Sequence, residues 1–115
     1  MIRHSYRRGD VVRVAFPFSD ATGVKERYAV VLSTDDYHHN WNELLVVGLT
    51  SRIPASLRST DYLLQDGQVA GLTKPSLMRS HLATIDYRLI QSKVGAVTAR
   101  DLSGIEATLK RATGL

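Results

Sequence analysis

The sequence has no cysteine among its 115 residues, which excludes a disulfide framework, a thiolate metal site and a cysteine nucleophile. It has no long apolar run either. The longest, Leu44 to Leu49, falls far short of the roughly 18 residues that a membrane-spanning helix needs. The start, Met1-Ile2-Arg3-His4-Ser5-Tyr6-Arg7-Arg8, lacks the apolar core of a signal peptide, so a cytoplasmic location is expected. No internal repeat, low-complexity segment or basic tail is present, and no GxSxG, Walker or GxGxxG pattern occurs. The usual hydrolase and nucleotide-site signatures are therefore absent. At this length there is room for one hydrophobic core, so residues 1–115 are expected to form a single domain.

What is present is a surplus of cations, 15 Lys+Arg against 11 Asp+Glu, and 11 of those cations are arginine. The planar fork of arginine donors matches phosphate geometry, which makes a phosphate-bearing partner one reading and ordinary solvated charge the other. Residues 28–51 hold no cation at all. Without a basic run, any basic surface has to be assembled by folding.

Val11 to Phe16 alternates Val12, Val14 and Phe16 against Val11, Arg13 and Ala15, the period of a strand. Pro17 stops it, and residues 17–25 read as a loop. From Arg27 through Tyr28-Ala29-Val30-Val31-Leu32 the chain reads as a buried central strand. Asp35 to Asn42 is a short helical turn or a loop, Glu43 to Thr50 a third strand, and Ile53 to Ser59 an exposed loop. Short strands are expected at Tyr62–Leu64 and Gln68–Ala70 around a hairpin turn at Asp66-Gly67, then at Ser76–Arg79, His81–Ile85 and Lys93–Val97. Thr98-Ala99-Arg100-Asp101 is a capping box, and Leu102, Ile105, Leu109 and Ala112 recur at helical spacing before a stop at Gly114. The pattern predicts a mainly β, α+β fold: a small, strongly bent antiparallel sheet or barrel with a C-terminal α-helix.

The adjacent His38 and His39 invite a metal or acid–base reading, but on a strand neighbours face opposite ways and no carboxylate or HxxxH spacing supports them. No metal site is expected. His4 and His81 read as structural or surface residues. Arg27, opening one apolar strand, and Thr50-Ser51-Arg52, closing another, stand where side chains leave the core for solvent. Cleaving RNA without metal requires deprotonating a 2′-hydroxyl, stabilising charge on phosphorus and protonating the leaving oxygen, and an arginine beside a hydroxyl supplies much of that. On residue types alone, a salt-bridged arginine and a strand-ending threonine are the simpler explanation of the same two residues.

The segments Gly9-Asp10-Val11-Val12-Arg13-Val14-Ala15-Phe16-Pro17-Phe18-Ser19-Asp20 and Lys25-Glu26-Arg27-Tyr28-Ala29-Val30-Val31-Leu32-Ser33 resemble the opening of the MazF/PemK toxin family. The resemblance continues through Val47-Gly48-Leu49-Thr50-Ser51-Arg52, Gly71-Leu72-Thr73-Lys74-Pro75-Ser76, Leu82-Ala83-Thr84-Ile85-Asp86 and Val94-Gly95-Ala96-Val97, in order along nearly the whole chain. It implies an SH3-like barrel with a terminal helix and a homodimer. The implied activity is a sequence-specific endoribonuclease on single-stranded RNA, leaving 2′,3′-cyclic phosphate and 5′-hydroxyl ends without a cofactor. It also implies an antitoxin partner whose acidic, disordered segment folds into the RNA groove. By the resemblance, Arg27 and Thr50 are the catalytic pair, with Lys25, Ser51, Arg52, Lys74 and Ser76 as RNA contacts.

Two departures stand out. Tyr28 occupies the place of a frequent proline and offers a ring for base stacking. Lys74, Pro75 and Ser76 stand where many relatives carry an acidic residue and a glutamine that read RNA, so the target sequence does not transfer. A gyrase poison of the same barrel, or a non-catalytic nucleic-acid-binding barrel using Tyr28, Tyr37 and Trp41, are the competing functions. Neither would need Arg27 for turnover.

Overall fold

The alternation at Val11–Phe16 folds as strand β1, Asp10–Pro17, in the computed structural model, which describes residues 6–17, 24–40 and 42–115, apart from the side chains at 16, 17, 24, 25, 39 and 40. Pro17, which lacks an amide donor, is its last residue. Strand β2 (Val24–Val31) starts ahead of the expected Arg27 because it pairs antiparallel with β1 along its whole length, from Val24 opposite Pro17 to Val30 opposite Val11. Helix α1 (Asp35–Asn40) settles the choice between helical turn and loop, and β3 spans Glu43–Thr50 as expected. Then come β4 (Tyr62–Leu63), β5 (Leu77–Asp86), one 3₁₀ turn (Tyr87–Leu89), β6 (Ile90–Ala96) and helix α2 (Ala99–Thr113).

The strands form one antiparallel sheet in the order β4-β5-β3-β2-β1-β6. Among the described residues β4 and β6 do not pair, so the sheet stays open rather than closing as a barrel. Period two sends alternate residues to two cores. Val11, Val30, Val47, Leu49 and Met78 pack on one face against Leu64, Leu72 and Ile105 of α2. Val12, Val14, Ala29, Val31, Leu44, Val46 and Ile85 pack on the other, with Tyr6, Tyr87 and Leu89. Each fully buried Val or Leu is worth about 1.5–3 kcal/mol.

Three expectations need correction. Gln68–Ala70 is not a strand, and Asp66-Gly67 does not turn a hairpin. The segment coils through successive turns, with the Ala70 and Leu72 amides donating to the Gly67 carbonyl at 3.1 and 2.9 Å. The cause is Asp101, whose carboxylate sits at zero exposure and accepts from the amides of Gln65 and Asp66 at 2.8 Å and from the Tyr62 hydroxyl at 2.7 Å. The two strands expected at Ser76–Arg79 and His81–Ile85 are one, bulged at Ser80, whose φ is 60°. On α2 the Thr98 hydroxyl caps the Asp101 amide and Gly114 ends the helix at φ 77°, but the buried stripe runs through Asp101, Ile105 and Thr108, leaving Ala112 exposed.

The open seam beside β6 is filled by the 66–72 coil. Gly71, at φ 89°, and Gly95 meet the carbonyls of Val94 and Ala70 so closely that a Cβ at either would lie 2.7 or 2.3 Å from the opposing oxygen. No helix among the described residues is long and apolar enough to cross a membrane.

Candidate active site

Three strands carry the second apolar face to one end of the sheet, where it turns polar. Alternate residues read Val31, Ala29, Arg27 on β2, then Leu44, Val46, Gly48, Thr50 on β3, and Ile85, Ala83, His81 on β5. Ala29 lies opposite Gly48 and Val31 opposite Val46, so the same register two residues further brings Arg27 level with Thr50. Sequence placed these two at strand ends. That register, continued past its last pair, brings them together, and both line the same hollows.

Two hollows flank the pair. The larger, about 440 Å³, is walled by Arg27, Gly48, Thr50, Arg52, Arg79 and His81, with Leu82 and Ala83 beside them. The smaller, about 230 Å³, is lined by Arg27, Tyr28, Thr50, Ser51, Leu72, Lys74 and Ser76, among others. Arg27, Leu49 and Thr50 form the ridge common to both. The structure thus gathers Arg27, Thr50, Ser51, Arg52, Lys74 and Ser76 around one ridge, while the Lys25 side chain lies outside the described residues.

Thr50 Oγ1 accepts the Arg52 amide at 3.1 Å, which fixes its rotamer and leaves its own hydroxyl hydrogen for donation. Ser76 is buried immediately before β5, and its hydroxyl donates to the Lys74 carbonyl at 3.0 Å, holding the wall that carries Lys74. Glu26, next to Arg27, accepts from Gln91 and Arg13, and those hydrogen bonds hold its carboxyl below the usual range. Tyr28 is 40% exposed, with its ring available at the rim of the smaller hollow.

Arg79 is a site residue that sequence reasoning misses. Its guanidinium grips Asp61 through Nε at 3.2 Å and an Nη at 3.3 Å, and Asp61 also accepts the Arg58 amide at 2.8 Å. Burial alone would push the Asp61 carboxyl up, but the Arg58 amide and the Arg79 fork outweigh it and hold the group below its ordinary value. His81 is a second, since it lines the larger hollow where sequence suggests only a structural or surface role. The available signal is Arg79-Ser80-His81, a polar triplet that interrupts the apolar run Leu77-Met78…Leu82-Ala83.

The histidine pair lies elsewhere. His38 sits on α1 rather than a strand, buried, with its Nε2 bonded to the Ser33 hydroxyl, which accepts the Leu45 amide at 3.1 Å. The His39 side chain and Trp41 lie outside the described residues. Three arginines and a hydroxyl around a ridge can bind an anionic chain in extended form and stabilise charge developing on one of its phosphates.

The fold matches several solved structures. MazF from Deinococcus radiodurans (Form-I) superposes with a TM-score of 0.77 at 21% identity, covering 98% of this chain and 100% of that one. An endoribonuclease from a mycobacterial species gives 0.76 at 16% identity over 100% and 97%. Another mycobacterial endoribonuclease, in complex with its cognate antitoxin, gives 0.73 at 18% over 96% and 97%. At such identities the likeness is one of fold. No curated protein matches the sequence. The family described as PemK-like, MazF-like toxin of type II toxin-antitoxin system matches residues 7–113, nearly the whole chain. The ridge and its hollows therefore belong to a member of the PemK-like, MazF-like toxin family of type II toxin–antitoxin systems.

Proposed function

We propose that residues 1–115 act as one toxin domain, a sequence-specific endoribonuclease that cuts single-stranded RNA without a metal ion and thereby halts translation and growth. The ribose 2′-hydroxyl attacks the adjacent phosphorus, leaving a 2′,3′-cyclic phosphate and a 5′-hydroxyl. Arg27 stabilises the pentavalent phosphorane, and the Thr50 hydroxyl positions a phosphate oxygen. Ser51, Lys74 and Ser76 on one side and Arg52 on the other hold the strand, with Lys25, near the start of β2, as a further backbone contact.

The observation that carries this reading is that Arg27 and Thr50 line both hollows and so share the ridge between them. A bent strand crossing that ridge would place one nucleotide in each hollow and its phosphate between the two side chains. Holding reactants in this way supplies much of a barrier's reduction before any proton moves. The protein works in the cytoplasm as a homodimer. A cognate antitoxin silences it by laying an acidic segment along the arginine-lined cleft; that an endoribonuclease of the same fold is found in complex with its cognate antitoxin supports such a partner.

The test is to incubate the purified protein with mixed-sequence single-stranded RNA in the presence of a chelator and map the new ends. Cyclic phosphate termini are expected. Arg27→Ala is expected to lower the rate by on the order of 10²–10³, the scale of losing one transition-state donor. Cleavage that persists unchanged in Arg27→Ala overturns the assignment. Inhibition of supercoiling with no RNA cut favours a gyrase poison instead.

A further inference from the structure

We propose that His81 is the proton acceptor of the cleavage reaction, an inference that rests on the ribonuclease reading. The reaction needs a base for the 2′-hydroxyl, and the paired residues are poor ones. Arginine stays protonated to above about pH 12, and a threonine hydroxyl is no stronger than the group it would deprotonate. Of the remaining side chains lining the hollows, Arg52, Arg79 and Lys74 are cations, and the Glu26 carboxylate accepts hydrogen bonds from Gln91 and Arg13 that lower its basicity. A histidine side chain offers a neutral imidazole nitrogen that can accept a proton, and His81 is the histidine on these walls.

Its position is built by a local irregularity. Thr50 pairs with Leu77 and Leu49 with Met78, whereas Val47 pairs with Leu82, so Gly48 alone faces residues 79–81. Regular pairing would have put His81 opposite Val46, in the second core. Two extra residues move it back to the level of Gly48 while keeping its face. A Cβ built on Gly48 would lie 4.0 Å from the His81 Cβ, so His81 stands beside a residue with no side chain, and β3 alone separates its strand from that of Arg27 across the larger hollow. The displacement is held by strain, since Ser80 adopts φ 60° without being glycine and its hydroxyl is tied to the Thr60 carbonyl at 2.7 Å. The charged groups that line the larger hollow with His81 are Arg27 from β2, Arg52 beyond β3 and Arg79 on β5 itself, with Asp61 paired to Arg79.

In the step, neutral His81 takes the 2′-hydroxyl proton as the O2′–P bond forms. The P–O5′ bond then breaks, O5′ takes a proton from water, and the imidazolium returns its proton to solvent. Net, RNA is transesterified with no proton gained or lost.

The experiment uses the full chain on an oligonucleotide spanning a mapped cut, comparing wild type, His81→Gln and His81→Ala from about pH 5 to 9. Circular dichroism confirms the fold of each variant, and binding is measured with an oligonucleotide carrying 2′-deoxyribose at the cut. Turnover is expected to fall by about 10²- to 10⁴-fold, the usual scale of general-base catalysis, while RNA affinity stays within about 3-fold of wild type. The acid limb of the pH–rate profile disappears in His81→Gln, and added imidazole restores part of the His81→Ala rate. A His81→Gln enzyme with wild-type rate and pH profile overturns the proposal while leaving the ribonuclease reading intact. A loss that imidazole does not rescue, with the acid limb unchanged, also overturns it. A wild-type protein that cuts no RNA overturns both.

Discussion

Replacing Asp101 with Asn preserves the volume of a buried side chain but removes its charge and half of its accepting capacity. Asp101 Oδ1 accepts both the Tyr62 hydroxyl at 2.7 Å and the Gln65 amide at 2.8 Å, and Oδ2 accepts the Asp66 amide at 2.8 Å. A hydrogen bond to a charged group is worth about 1.5–3 kcal/mol, and an amide NH₂ placed at Oδ2 would meet another donor in the Asp66 N–H. Losing that bond and weakening the two that remain amounts to about 3 kcal/mol. Unfolding entropy of about 2.1 cal/mol/K per residue gives about 0.24 kcal/mol/K over 115 residues. The expected fall in Tm is therefore about 12 °C. Thermal unfolding followed by far-UV circular dichroism, with a urea titration at constant m to confirm a stability change, reads it directly. A Tm within about 2 °C of wild type would refute the claim that this carboxylate ties the 62–66 segment to α2, since the principle that unmet buried donors are costly leaves no route to neutrality.

Two further outcomes follow from ionisation. Burial, with the Asp101 carboxylate beside it, pushes the Tyr62 phenol up to about 12 from 10.0. The folded state then holds a proton that the unfolded chain releases, so stability is full below about pH 10 and falls as pH rises toward about 12. Urea unfolding at about pH 9 and 11.5 should show this decline in wild type and a shallower one in Tyr62→Phe; equal slopes would refute it. Asp61 is shifted the other way, below 3.8, so its contribution is present above that value and is lost as pH falls through the lowered folded value. Asp61→Asn should cost about 1–3 kcal/mol at pH 7 and flatten the acid-side loss near pH 3, whereas parallel wild-type and variant curves between the two would sink the pairing argument.

Local pattern carried β1, β3 and α2, because valine alternation and the Thr98 cap are decided within a few residues. It did not carry the 66–72 coil, whose shape is imposed by a carboxylate 35 residues away in sequence, at Asp101. The same holds for the site. Arg27 and Thr50 could be picked out as residues at strand ends, and the family resemblance gave them roles, but their adjacency depends on which strands pair. Arg79 and His81 were hidden because a bulge is invisible to a period-two reading, which sees only a strand that stops and another that starts. Ala112 was misassigned for a related reason. The buried stripe of α2 includes two polar residues, Asp101 and Thr108, whose partners are satisfied, Thr108 by the Gly104 carbonyl at 2.8 Å.

The open seam of the sheet bears on solubility. A row of unpaired strand amides is a template for edge-to-edge aggregation. Here one outer strand, β4, is only two residues long, too short to recruit another chain. Beside the other, β6, the Ala70–Gly71 backbone packs against Gly95 and Val94, which crowds the approach of another chain. Glycine at 71 and 95 thus acts as a guard against misassembly, and any larger residue there would prise the coil away and expose an adhesive edge.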